Sequence, residues 1–124
     1  MKIRRQDSMT NLLHWMVVMA VLGSVAFAQD EPRKITRSEA LNAVAVRVQP
    51  EYPPMARQLR MQGSVEVEVL VGENGEVQKV DIVSGNAVLT ASAVQAVKHW
   101  KFKPFLESGK PIRVLAPITV DFKL

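Results

Sequence analysis

A chain of 124 residues has room for one domain, and without cysteine that domain must hold together by packing and backbone pairing, with no disulfide and no thiolate metal ligand. The net charge of +4 is no nucleic-acid footprint, because half of it lies in Lys2, Arg4 and Arg5 against Asp7 and the rest is interspersed with carboxylates. Two histidines, His14 and His99, supply neither a metal cluster nor a Cys-His or Ser-His-Asp arrangement, so no cofactor and no enzymatic activity are expected.

The basic start precedes an apolar run from Leu12 to Phe27, which closes on Ala26-Phe27-Ala28 before the polar Gln29-Asp30-Glu31. Residues 1–28 therefore read as a secretory signal peptide cut after Ala28, with an uncleaved signal anchor as the alternative. The run is short for a membrane span, which wants about 20 apolar residues, and it contains His14. Either way the remainder is expected to be exported, touching membrane only through an uncleaved leader. Residues 29–48 read as a linker and short arm. The polar stretch 29–34, with Pro32, is expected to be flexible. Thr36-Arg37-Ser38-Glu39 offers N-caps for one or two turns of helix, and Val44, Val46 and Val48 alternate as in a short strand or extended arm.

Residues 49–124 form the domain proper. Gln49-Pro50-Glu51-Tyr52-Pro53-Pro54 must be extended or turning, because residues before proline avoid the helical region. Pro53 and Pro54 suit the first turn of a short helix over 55–61, with Met55, Leu59 and Ala56 as its buried stripe and Gly63 as its stop. Residues 64–71 put Val65, Val67, Val69 and Val71 on one face. Gly72-Glu73-Asn74-Gly75 turns the chain, and 76–83 returns with Val80 and Ile82 inward. A helix over 89–99 comes next, since Leu89, Ala93, Ala96, Val97 and Trp100 recur at helical spacing. Residues 108–111 read as a loop into a last strand, 112–124, whose even-numbered residues from Ile112 to Leu124 are apolar. The expected fold is α+β: a three-stranded antiparallel sheet in the order second, first, third, packed with two helices.

Three patterns have a chemical and a plain reading. Glu66 and Glu68 share a strand face, which is a solvated face rather than a catalytic pair. Trp100-Lys101-Phe102-Lys103-Pro104-Phe105 interleaves aromatics with lysines, but a core this small needs all three rings. His99 sits where a helix C-terminus favours a cation.

Tyr52-Pro53 with Ala56-Arg57 and Gly63 after it, Gly75-x-Val77, Leu89…Ala93-x-x-Ala96-Val97-x-x-Trp100, Trp100-Lys101-Phe102-Lys103-Pro104 and Ile118-x-Val120-x-Phe122-x-Leu124 stand in register over 49–124. Together they resemble the C-terminal domain of TonB energy transducers. The resemblance implies a periplasmic, Gram-negative domain that takes a peptide segment of an outer-membrane transporter as an added strand on its last strand. It assigns partner contact to Gln49, Pro50, Tyr52 and Pro53 and to the strand carrying Arg113, Leu115, Pro117, Thr119 and Asp121. Two departures stand out. Thr90 succeeds Leu89 where family helices carry Leu-Asp, and the stretch 29–48 reaches at most about 70 Å fully extended, short of the family's long spacer.

Pro117 sharpens the expectation. Lacking an amide hydrogen, it belongs at a sheet edge with its backbone turned away from the paired neighbour. Arg113, Leu115, Thr119 and Asp121 then present their backbone groups at the same edge, and the even-numbered residues pair inward. The rival use of that edge is structural, with two copies or an envelope complex pairing along it.

Overall fold

The computed structural model describes residues 31–124, which cluster as one compact unit, Glu31–Leu124. The expected signal peptide and its cleavage point lie outside the described residues. Among the described residues no helix is long and apolar enough to cross a membrane.

In chain order the elements are β1 (Arg33–Lys34), α1 (Arg37–Asn42), β2 (Val44–Val46), α2 (Pro54–Gln58), β3 (Gly63–Val71), β4 (Val77–Ser84), α3 (Ala87–Lys98), β5 (Lys101–Phe102), β6 (Phe105–Glu107), β7 (Lys110–Ile112) and β8 (Val114–Phe122). The main sheet runs β1-β8-β3-β4. The expected order of the three long strands is thus present and the class is α+β. The sheet gains a fourth strand, because Arg33–Lys34 pairs in parallel with Val114 and Leu115. Reading 29–34 as flexible missed this: two exposed, charged residues carry no apolar pattern and are held through their backbone.

The core arises from strand alternation. Val65, Val67, Val69 and Val71 of β3 and Val114, Ala116, Ile118, Val120 and Phe122 of β8 are buried on one face. Helix α3 packs on β3 and β4 and buries Leu89, Ala93, Ala96 and Val97, one side of a 3.6-residue repeat. Its cap is Asn86, whose side chain accepts from the Val88 amide at 2.9 Å, so the Thr90 departure is immaterial to helix initiation. Trp100 and Phe102 complete the core with Phe105 half-buried, as expected of the aromatic run. Helix α1 carries the reciprocal capping box of Thr36 and Glu39 and packs against β8.

Three local expectations fail. In α2 only Ala56 is buried, while Met55 and Leu59 are 61% and 66% exposed. A five-residue helix is too short for an i, i+4 stripe, and its C-terminal end is closed by the Met61 amide bonding to the Ala56 carbonyl at 2.8 Å, with Ala56 alone turned into the core. Ile82 is 52% exposed, because β4 is an edge strand whose register with β3 shifts between Ile82 and Ser84. Finally, 105–112 is a hairpin, β6 against β7, turning on Ser108 and Gly109, both with positive φ. Pro111 hid it, since proline within a run argues against a strand.

The β3–β4 turn is fixed against β5. Gly75 has φ +84°, its carbonyl accepts from the Phe102 amide at 2.9 Å, and a Cβ there would stand 1.9 Å from the Phe102 carbonyl oxygen. Gly75→Ala combines left-handed backbone strain with a clash against backbone. It should lower unfolding free energy by roughly 2 kcal/mol or more in urea titration, with the m-value unchanged.

Candidate functional site

The site is built on the side of β8 that faces away from β3. Antiparallel pairing of β3 with β8 runs without a register shift from Gly63↔Phe122 to Val71↔Val114. On the other side, the Arg33 amide donates to the Arg113 carbonyl and the Ile35 amide to the Leu115 carbonyl, each at 3.1 Å. Successive residues of a strand direct their backbone groups to opposite neighbours. The odd-numbered residues 117, 119 and 121 therefore share the outward side with Arg113 and Leu115, the parity that Pro117 demanded. Past Leu115, no strand of the described residues pairs with that side.

The arm carrying Gln49 and Pro50 comes to the same place. Gln49 and Pro50 line a cavity of about 140 Å³ with Thr119 and Asp121, closed by Arg47 and Trp100. Trp100 sets the arm's position: its indole Nε1 donates to the Val48 carbonyl at 2.9 Å, and the Arg47 guanidinium lies 5.0 Å from its ring centroid. Lower on the arm, β2 pairs antiparallel with β5, and the Lys103 amide donates to the Ala43 carbonyl at 2.7 Å. In the cavity wall, the Thr119 hydroxyl oxygen is buried without a hydrogen-bond partner. Asp121 accepts a hydrogen bond from the Ser64 hydroxyl across the strand pair.

The other expected contact residues are placed differently. The Tyr52 ring stands edge-on to Phe122 at 5.6 Å, its hydroxyl donates to the Met61 carbonyl, and Arg57 lies 5.7 Å above it. Tyr52 thus fastens α2 to the end of β8. Pro53 caps α2 and lines a wider cleft of about 520 Å³ between the arm and α3, shared with Gln49, Ser92 and His99. Arg113 and Leu115 carry carbonyls already bonded to β1. Of nine expected residues, then, Gln49, Pro50, Thr119 and Asp121 converge, Pro117 extends their edge, and Arg113 and Leu115 lie beneath β1.

Sequence reasoning passed over Arg47 and Trp100 as part of this site. A signal existed, because a buried indole N–H seeks an acceptor and the valine alternation placed an extended arm within the chain. Among the described residues no group of three or more His, Cys, Asp or Glu side chains is placed to hold a metal.

The model of the family described as Gram-negative bacterial TonB protein C-terminal matches residues 48–124, more than half of the chain. The chain belongs to this TonB C-terminal family. It is 36% identical over 83 residues to protein TonB of Vibrio cholerae, a match covering 65% of this chain and 34% of that one. It is 34% identical over 77 residues to protein tonB2 of Pseudomonas aeruginosa, covering 60% and 28%, and 34% identical over 67 residues to protein TonB of Escherichia coli, covering 52% and 26%. The chain therefore spans about a third or less of the length of these relatives. The solution NMR structure of the Pseudomonas aeruginosa TonB C-terminal domain superposes with a TM-score of 0.55 at 23% identity, over 65% of this chain and 84% of that one. That likeness establishes the fold. The family is one of energy transducers and not of enzymes, in agreement with the expectation from the histidine and cysteine counts.

Proposed function

We propose that this TonB-type domain works on the periplasmic side of a Gram-negative envelope, where it binds an extended segment of an outer-membrane transporter as an additional strand on β8. The observation that carries the reading is the outward row of backbone groups at Pro117, Thr119 and Asp121, which have no strand neighbour among the described residues. Strand addition draws affinity from main-chain bonds and selection from the pockets that alternate side chains enter. Here the pocket is the cavity between the arm and the edge, where the unpartnered Thr119 hydroxyl and Gln49 offer polar contacts to a partner side chain. Pro117 contributes an acceptor and no donor, so a partner strand is paired in a register that places no acceptor against it. Force transmission to the transporter would be the output of this binding where the leader stays uncleaved as an anchor, passed from it through the arm to the domain.

Titration of the isotope-labelled protein with a peptide copying the N-terminal segment of an outer-membrane transporter tests this reading. Amide shifts and new exchange protection should centre on Thr119 and Asp121 and extend to Gln49, leaving β4 unaffected. Shifts centred on the β4 edge, or none at millimolar peptide, would overturn it.

A further inference from the structure

We infer that β1 is a built-in competitor for the docking edge, so that a partner strand longer than the open stretch gains its full length only by displacing Arg33–Lys34. The inference rests on the reading of β8 as a docking edge and adds a regulatory element to it.

The edge is one continuous row with two halves. At about 3.3 Å per residue, residues 117–121 offer roughly 13 Å of open backbone, and continuing to Arg113 doubles that length. The second half is already filled, since Arg33 and Ile35 donate to the two outward carbonyls that a longer partner would use, at Arg113 and Leu115. A partner strand and β1 cannot bond those carbonyls along the same edge at once.

β1 is also suited to leave. It is two residues long, and both side chains are exposed, so its hold is backbone pairing rather than burial. Ile35, half-buried against the core, is an apolar anchor beside it. Helix α1, next in the chain, is secured independently. Thr36 and Glu39 close its capping box, Ala40 is fully buried, and Arg37 pairs with Glu66 on β3 at 3.4 Å. The strand can therefore lift from β8 while α1 stays in place. Elements with few buried apolar contacts open locally at free energies well below that of global unfolding. A long partner then binds with its intrinsic affinity reduced by the fraction of molecules in which β1 is open, whereas a short partner confined to 117–121 is unaffected.

Two measurements on the full chain test this. In native-state exchange of the free protein, the Arg33 and Ile35 amides should open at least about a hundredfold more often than the Val120 amide, which belongs to the β8–β3 pairing. Equal protection would overturn the inference without reference to any partner. Second, Lys34 and Leu115 are paired across β1 and β8, and the natural chain has no cysteine, so Lys34→Cys with Leu115→Cys creates a single reducible lock. Five- and ten-residue peptides from the N-terminal segment of an outer-membrane transporter are titrated against both redox forms. The ten-residue peptide should bind the oxidised form about tenfold or more weakly than the reduced form, and the five-residue peptide should bind both alike. Equal binding of the long peptide to the two forms overturns the competitor role alone. Binding of neither peptide to the reduced form overturns the docking reading, and the competitor role with it. Because each comparison is made within one variant, any cost of the substitutions cancels.

Discussion

Thr119→Pro is expected to weaken binding of a transporter peptide about tenfold or more while leaving the free protein's stability within about 1 kcal/mol of the parent. The Thr119 amide points outward, and in the free protein no strand of the described residues takes it. Proline there removes a donor that only a partner would use and sets its ring against the incoming backbone. The unpartnered buried hydroxyl is lost as well, which carries no hydrogen-bond cost. Ile118→Pro, one residue away, should behave in the opposite manner. Its amide serves the β3 pairing opposite Val67 and its side chain is fully buried, so the change should cost about 3 kcal/mol or more, as proline does inside a regular element. Thr119→Val separates the remaining variables by keeping the amide and the shape while removing the hydroxyl. Retained affinity would assign the interaction to the backbone, and a loss would assign part of it to the Thr119 oxygen. Calorimetric titration of the three variants with thermal melts gives both quantities. If Thr119→Pro binds as tightly as the parent, the outward edge is not where the partner sits.

The contrast between adjacent residues is readable from the sequence because proline reports backbone direction as well as conformation. One imino acid in an alternating run fixes the edge, and the strand period of two carries that assignment to every other residue. The same period makes β3 and β8 legible, and the period of 3.6 makes α3 legible, because each has one buried face long enough to repeat. Elements without repetition leave no such signal. β1 spans two charged residues, so its pairing leaves no mark on composition. The α2 stripe extrapolates a helical period over five residues, and close contact at Ala56 decides the face instead. The β6–β7 hairpin depends on positive φ at Ser108, which serine tolerates without advertising. The candidate site is half legible for the same reason. Thr119 and Asp121 come from parity, whereas the seat of Gln49 and Pro50 beside them depends on long-range bonds to either side of them, from Trp100 to the Val48 carbonyl and from the Ser92 hydroxyl to the Glu51 carbonyl.

Removing the whole Trp100 side chain, packing and bond together, should produce the largest change in stability. Trp100→Ala is expected to lower unfolding free energy by about 3–5 kcal/mol, the range for deleting a buried large aromatic, against a total of about 5–15 kcal/mol for a domain. Trp100 is 4% exposed and packs beside Phe102, with ring centroids 6.4 Å apart, so the alanine leaves a cavity in the centre of a small core. Trp100→Phe isolates the arm's share. A phenyl ring retains much of the packing but cannot donate to the Val48 carbonyl, and the lost bond alone should cost about 1–3 kcal/mol. It also removes one of the bonds that fix residues 47–50 next to Thr119 and Asp121, and Arg47 loses the indole face beneath its guanidinium. In urea titration both variants should shift the midpoint in the order parent, phenylalanine, alanine. Peptide binding to the phenylalanine variant, measured at low temperature where it remains folded, should weaken severalfold, because Gln49 and Pro50 are then held less firmly beside the edge. A phenylalanine variant with parental affinity would mean that the Trp100–Val48 bond contributes nothing to docking.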